Sequence, residues 1–173
     1  MVNCVLHEGL TVRGPLPQRK GEIREEMSTT IRKFDPVDLD SCTSVFMSAY
    51  NNEIWQCNWS FARAKEYIKE ITDHKKFIGF TLLVDNAIKG AILCRERTCW
   101  NNNEIYVEEL FVSPDVQRRG FGTALLRAVE RYIKERGLAG FTLVTNRYTP
   151  APDFYRKNGF CDGEHVLFMY KIV

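Results

Sequence analysis

The chain has 173 residues, of which 45% are hydrophobic and 27% charged, so it is long enough to bury a core of its own. This composition excludes a collagen-like, low-complexity or wholly disordered chain. The 24 basic and 22 acidic residues leave a net charge of +2, which does not favour nucleic acid or a membrane surface as a partner.

Two further features of composition bear on location and metal binding. No apolar run reaches the roughly 20 residues that span a bilayer, and the N-terminus lacks the apolar segment of a signal peptide. We therefore expect a cytoplasmic protein. The six cysteines include no CxxC pair, so free thiols and no metal site are expected.

The first half of the chain predicts a strand, two helices and a hairpin. Residues 1–27 carry Gly and Pro without a sustained period, which indicates a flexible extension before a single domain over residues 28–173. A β-prone run at residues 30–34 precedes a helix over 37–49, and Ser60 can cap a second helix that ends near residue 73. Residues 77–84 and 87–95 form strands joined by a tight Asp85-Asn86 turn.

The second half predicts strands alternating with helices. A strand over 104–113 leads into a helix that begins near Gly122 and ends at Gly137. A strand over 141–145, a short helix over 152–157 and a final strand over 166–172 follow. The fold class is therefore α/β, with a mixed sheet covered by helices on both faces.

The loop over residues 117–123 has the features of an anion site. It joins a strand to a helix N-terminus, where unpaired backbone N–H groups and the helix dipole attract phosphate. Gly120 and Gly122 allow close backbone approach, and Arg118 and Arg119 can add charge. The loop has neither the Gly-Lys-Ser/Thr of a Walker loop nor a three-glycine dinucleotide fingerprint. Taken alone, the two glycines are equally compatible with a structural turn.

Two segments together resemble a known family. Residues 112–122, Val-Ser-Pro-Asp-Val-Gln-Arg-Arg-Gly-Phe-Gly, resemble the Q/R-x-x-G-x-G/A acetyl-CoA loop of the GNAT N-acetyltransferase superfamily. Residues 151–160, Ala-Pro-Asp-Phe-Tyr-Arg-Lys-Asn-Gly-Phe, are similar to its A-x-x-F-Y-x-x-x-G-F segment. The resemblance implies a GNAT acyl-CoA N-acyltransferase fold, with a mostly antiparallel central sheet and a parallel pair of fourth and fifth strands.

The same resemblance implies that acetyl-CoA is a cosubstrate and that no metal is used. Many relatives have Asn where this chain has Tyr148, and Asn146 is a nearby substitute. The residues expected to bind the cosubstrate are Leu110, Phe111, Val112, Gln117, Arg118, Arg119, Gly120, Phe121, Gly122, Thr123 and Asn146.

Amine acetylation needs a base for the ammonium proton and an acid for the departing thiolate. Glu108 and Glu109 are the base candidates; resemblance to spermidine/spermine acetyltransferases favours Glu108, whereas the Leu-x-Val pattern of bacterial relatives follows Glu109. Strand alternation lets only one of them face the cleft unless a bulge intervenes. The resemblance makes Tyr155 the general acid. The alternatives are solvated edge charges for the glutamates and core packing beside Phe154 for Tyr155.

The resemblance places the acceptor pocket at the loop between the first two helices and at the hairpin before the last strand. The expected contacts in the loop are Tyr50, Glu53, Trp55 and Trp59, and Asp162 and Glu164 offer further negative charge in the hairpin. Aromatic rings and carboxylates suit a small cationic amine, and the layout is similar to bacterial aminoglycoside 6'-N-acetyltransferase-like members. The tryptophans are as easily explained as anchors of the loop. A peptide or protein N-acetyltransferase and a non-catalytic acetyl-CoA-binding sensor are the alternatives, and a homodimer is left open.

Overall fold

The computed structural model describes residues 28–172 and contains one five-stranded sheet. The strands follow chain order, β1-β2-β3-β4-β5, with antiparallel pairing up to β4 and parallel pairing of β4 with β5. The predicted flexible extension over residues 1–27 lies outside the described residues. The strand bounds are β1 Thr29–Lys33, β2 Phe77–Val84, β3 Ala87–Arg97, β4 Glu104–Val112 and β5 Phe141–Thr142.

Four α-helices cover the two faces of this sheet. Helices α1 and α2 share one buried core with β3 and Phe111 of β4, and helices α3 and α4 share the other with β2, β3 and β4. The helix bounds are α1 Leu39–Tyr50, α2 Phe61–Thr72, α3 Phe121–Arg136 and α4 Ala151–Lys157. The predicted mixed sheet with helices on both faces is confirmed, and so is the parallel pair of fourth and fifth strands.

Local signals explain most element boundaries. The Ser60 side chain accepts a hydrogen bond from the Arg63 amide and begins α2, as expected of a serine N-cap. Asp85 and Asn86 both adopt positive φ, of 49° and 63°, which is the geometry of a tight hairpin turn. Gly137, at a φ of 63°, ends α3.

An ion pair ties the first strand to the start of the first helix. Asp38 is buried, and its two carboxylate oxygens each accept a 2.7 Å hydrogen bond from the Arg32 guanidinium. Its Oδ2 also accepts from the Asp35 amide and from the Thr81 hydroxyl. Burial acts to raise the pKa of Asp38, but the Arg32 hydrogen bonds and charge outweigh burial and hold that pKa below its usual value.

The prediction of a final strand over residues 166–172 is wrong. These residues form no strand, and their apolar side chains are largely exposed, with Leu167 at 77% and Tyr170 at 80%. The fifth strand also stops at Thr142 instead of residue 145. Strand propensity is local, whereas a strand exists only with a hydrogen-bonded partner, and β5 offers a paired edge of two residues.

Candidate functional site

A break in register in the middle of β4 brings two carboxylates to one face of the sheet. Leu93 of β3 pairs with Glu109, but the next residue, Cys94, pairs with Val107, so Glu108 is an extra residue of the kind that a β-bulge inserts. The side chains of Val107 and Leu110, which flank the two glutamates, both point into the core beneath α3. Both glutamates therefore face α1 and α2. Strand alternation alone would allow only one of them to do so, and the bulge that was left open as the exception is present.

Glu109 is buried and held by two phenols. Its exposed fraction is 3%. The Tyr50 hydroxyl, from the end of α1, donates to Oε2 at 2.5 Å, and the Tyr67 hydroxyl, from α2, donates to Oε1 at 2.7 Å. Burial raises the pKa of Glu109 to about 7, and the two phenol hydrogen bonds limit that rise. The carboxyl group can therefore gain or lose a proton near neutral pH, which is what a general base requires.

Glu108 has a different partner. Its Oε1 lies 2.5 Å from Nε of Arg95 on β3, and its side chain is 21% exposed. The guanidinium groups of Arg95 and Arg97 lie over the Tyr106 ring, 5.4 Å and 5.0 Å from its centroid. The Glu108 carboxylate is thus paired with an arginine, whereas the Glu109 carboxylate accepts hydrogen bonds from two phenols. This difference in partners favours Glu109 as the candidate base.

Aromatic rings surround the glutamate pair on the helix side. Trp59, which is partly exposed, stacks on the Tyr67 ring at 5.3 Å between centroids. Trp55 is buried and meets the Tyr50 ring edge to face at 5.7 Å. Glu53 is exposed on the same loop. Three of the four predicted acceptor residues, Tyr50, Trp55 and Trp59, thus lie in or beside one aromatic cluster with Glu109.

Other predicted acceptor carboxylates lie elsewhere. Asp162 forms an ion pair with Arg156 of α4, with Nη2 and Oδ2 2.7 Å apart. Glu164 is exposed in the segment after α4. Glu109 on β4 is the carboxylate that the described residues show bonded to the aromatic cluster.

A cavity of about 150 Å³ lies where β4 meets the start of α3. It is formed by the end of the strand, the glycine loop and one ring of α4. Seven of the predicted cosubstrate residues line it. Its lining is Val112, Gln117, Arg118, Gly120, Phe121, Gly122, Thr123 and Phe154.

The backbone around this cavity is arranged as an anion cradle. Gly120 has a φ of 82° and directly precedes α3, so no side chain caps the first amides of the helix. The Gln117 Nε2 group donates to the Val112 carbonyl at 2.8 Å and ties the loop to the strand end. A Cβ at Gly122 would lie 3.0 Å from Cζ of Phe154. The helix amides, two glycines and the Arg118 charge fit a phosphate-bearing group such as the pyrophosphate of acetyl-CoA.

The remaining predicted cosubstrate residues, Leu110, Phe111, Arg119 and Asn146, do not line the cavity. Leu110 and Phe111 are buried on β4, and Arg119 is exposed in the loop. The Asn146 Oδ1 accepts a hydrogen bond from the Tyr148 amide at 3.0 Å, which shapes the turn before α4.

Tyr155 lies in the core beneath α3 with 3% exposure. Its ring meets Phe154 and Phe160, each at 5.2 Å between centroids. Phe154 in turn lines the cavity. Tyr155 is thus one residue away from the cavity wall and packed among aromatic rings.

Two residues of the site, Tyr67 and Phe154, are not among those predicted from the sequence. Tyr67 lies three residues after Ala64 and next to Ile68, on the apolar stripe of α2, so helical spacing would have placed its side chain against the sheet. Phe154 belongs to the quoted A-x-x-F-Y segment and directly precedes Tyr155. No sequence signal links either residue to its partner on β4 or on the glycine loop.

Across residues 28–172, no group of three or more His, Cys, Asp or Glu side chains is arranged to hold a metal ion. None of the helices that the structure describes is both long and apolar enough to cross a membrane. The cysteines at 42, 57, 94, 99 and 161 are free thiols, and the sixth, Cys4, lies outside the described residues.

Comparison with known proteins identifies relatives at the levels of family, sequence and fold. A family model described as "Acetyltransferase (GNAT) family" matches residues 44–160. An uncharacterized N-acetyltransferase of Methanocaldococcus jannaschii is 29% identical over 153 residues, which are 83% of this chain and 66% of the relative. The streptothricin acetyltransferase of Streptomyces lavendulae is 31% identical over 87 residues, which are 42% of this chain and 46% of the relative. The chain thus spans less than two thirds of either curated relative.

Among solved structures, the aminoglycoside N-acetyltransferase AAC(6')-Iy in complex with CoA superposes with a TM-score of 0.68 at 18% identity. The match covers 87% of this chain and 99% of that one. At this identity the likeness is one of fold, and it confirms the fold class that the sequence predicted.

Proposed function

The chain belongs to the GNAT acetyltransferase family, and from that membership we propose that it transfers the acetyl group of acetyl-CoA to a primary amine of a small cationic molecule by direct attack. The observation that carries the proposal is the juxtaposition on β4 of a buried, phenol-bonded Glu109 and a glycine-lined anion cradle. One group handles the proton of the acceptor, and the other holds the phosphates of the donor.

The donor end rests on the cradle. The amides at the start of α3 and the Arg118 guanidinium would hold the pyrophosphate, because both supply positive potential at a concave surface. Gly120 leaves the backbone open to approach, since a Cβ there would meet no atom within 4 Å, whereas the space beside Gly122 is filled by the Phe154 ring. When bound, acetyl-CoA supplies the activated acyl group. In this proposal the backbone N–H groups at the end of β4, near Val112, polarise its carbonyl.

The acceptor end rests on Glu109 and the aromatic cluster. A primary amine is mostly protonated at neutral pH and must lose a proton before attack. Glu109 accepts that proton, and its raised pKa suits the transfer. Trp59 and Tyr67 offer ring faces to a cation, while Tyr50 and Trp55 are buried and pack against each other. The Tyr155 phenol returns a proton to the departing thiolate.

The acceptor class follows from charge and from the relatives. Two glutamates and several ring faces on one side of the sheet favour a positively charged amine. The fold neighbour acts on aminoglycosides and one sequence relative on streptothricin, according to their names. Aminoglycosides, streptothricin and polyamines are therefore the first acceptors to test.

The test is acetyl transfer to a panel of amines with mass-spectrometric detection of products. The panel holds aminoglycosides, streptothricin, polyamines, amino acids and short peptides, each with acetyl-CoA and the full chain. A product heavier by one acetyl group on a cationic small molecule supports the proposal. Mass detection is preferred because the chain's own cysteines react with thiol reagents.

Two outcomes would replace the proposal with an alternative. Acetylation of peptides in preference to small amines favours a peptide or protein N-acetyltransferase. Tight acetyl-CoA binding with no product from any amine favours a non-catalytic sensor. In either case the anion cradle would keep its assignment, and the role of Glu109 would have to change.

A further inference from the structure

We propose that Tyr67 is a proton relay between the acceptor amine and the buried Glu109, an inference that rests on the proposed function. The Tyr67 phenol donates to Glu109 Oε1 at 2.7 Å from a partly exposed position on α2.

Access to the Glu109 carboxylate is restricted. Glu109 is 3% exposed and is covered by α1 and α2. Each of its oxygens already accepts a phenol hydrogen bond, one from Tyr50 and one from Tyr67. A bulky acceptor amine outside the helices therefore meets the phenol before it meets the carboxylate.

The two phenols that bond Glu109 differ in their exposure to solvent. Tyr50 is 1% exposed and lies under Trp55. Tyr67 is partly exposed and stacks on the half-buried Trp59. Both donate to the same carboxylate, but Tyr67 is the one with a side toward solvent.

The proposed relay consists of two coupled proton transfers. The ammonium N–H proton passes to the Tyr67 oxygen as the Tyr67 hydroxyl proton passes to Glu109 Oε1. The amine becomes neutral, Glu109 becomes protonated, and Tyr67 ends as it began. Burial, and next the charge of Glu109, raise the pKa of Tyr67, so the phenol keeps its proton between turnovers.

The surroundings of the pair bear on any pH profile. Glu108 on β4 acts to raise the pKa of both Glu109 and Tyr67, and it is itself paired with Arg95 on β3. Tyr106 on β4 is the further titratable group that faces Tyr67. From the helices, Tyr50 and Tyr67 are the groups in contact with Glu109.

The test compares Tyr67→Phe with Tyr132→Phe on the purified full chain, by kcat and KM across pH with the best acceptor. The Tyr132 hydroxyl on α3 donates to Glu96 on β3 at 2.7 Å. Tyr132→Phe therefore also loses a hydrogen bond from a phenol to a carboxylate, but not one to Glu108 or Glu109. We expect Tyr67→Phe to lower kcat roughly tenfold to a hundredfold at every pH, with acetyl-CoA affinity unchanged. Tyr132→Phe keeps the wild-type kcat.

A purely positioning role gives a different profile. Loss of one phenol donor raises the pKa of Glu109 further, so the acid limb moves to higher pH and kcat recovers fully above it. Full recovery overturns the relay. Tyr67→His is the second variant, and it provides the test if Tyr67→Phe does not fold. Neutral imidazole can accept one proton while donating another, so we expect partial activity that is lost as the imidazole protonates; a profile identical to wild type overturns the relay.

The outcomes also separate this proposal from the function it rests on. An active wild type with a fully active Tyr67→Phe defeats the relay alone. A wild type that acetylates no amine defeats both.

Discussion

Glu108 and Glu109 are consecutive on β4, and yet both side chains lie on the face that α1 and α2 cover. A regular strand would turn one of them toward α3. The break in register between Leu93 and Cys94 cancels that alternation. Two adjacent carboxylates thereby gain different partners, an arginine for Glu108 and two tyrosines for Glu109, and the first prediction tests which one works as the base.

We expect Glu109→Gln to lower kcat by about 10² to 10⁴, the usual contribution of a general base. Glu108→Gln is the matched comparison and should lower kcat far less, because it removes only a partner of Arg95. In the wild type, kcat should fall as pH drops below about 7, since protonated Glu109 cannot accept a proton. Initial rates over pH 5 to 9 check both points. A larger loss for Glu108→Gln would reverse the assignment.

Glu109 should also make stability depend on pH. Its pKa in the folded chain, about 7, lies above its ordinary value of 4.5, so its contribution is full below the ordinary value and is lost as pH rises through about 7. The shift corresponds to about 3 kcal/mol. Urea unfolding of wild type and Glu109→Gln at pH 5 and pH 8 measures it. The variant should gain stability relative to wild type as pH rises, and a constant gap would contradict the raised pKa.

Gly120→Ala should weaken acetyl-CoA binding. Its φ of 82° disfavours a Cβ by about 1 kcal/mol, and relief of that strain shifts the amides that form the cradle. Gly137→Ala is the matched control, because Gly137 also has a positive φ and open space around it, at the other end of α3. Calorimetric titration should give about fivefold weaker binding for Gly120→Ala and wild-type binding for Gly137→Ala. Equal losses would mean that only helix stability was tested.

Tyr155→Phe tests the proposed general acid. The ring and its contacts with Phe154 and Phe160 are kept, so folding and acetyl-CoA affinity should stay near wild type. Loss of the phenol should lower kcat at least tenfold, since acid catalysis typically contributes a factor of about 10² to 10⁴. Single-turnover acetylation with the best acceptor is the measurement. Unchanged turnover would leave Tyr155 as a core aromatic only.

Asp38→Asn should destabilise the fold by about 2 to 3 kcal/mol. This value is below that of a fully buried pair, because the partner Arg32 is 39% exposed. The pKa of Asp38 is lowered in the fold, so its contribution is present above its ordinary value of 3.8 and is lost as pH falls through that range. Glu66→Gln, from an exposed pair with Arg63, should stay near wild type. Thermal unfolding at pH 7 and pH 3.5 compares them.

Much of the fold could be predicted from local sequence. The Ser60 cap, the Asp85-Asn86 turn and Gly137 set boundaries that depend only on a few neighbouring residues. The anion cradle was also predictable, because a helix start with glycines exposes amides whatever surrounds it. The prediction of a strand over residues 166–172 was wrong, because a strand needs a hydrogen-bonded partner strand that is distant in sequence.

What the sequence determined by itself was therefore the order of elements, the mixed sheet, the glycine loop and the two candidate glutamates. The tertiary structure decided which face the glutamates share, because strand register is set by pairing with β3. It also decided that Tyr50 and Tyr67 meet Glu109 and that burial raises the pKa of that carboxyl. Proton affinity follows solvent exclusion and hydrogen-bond partners, and both come from helices far along the chain from β4.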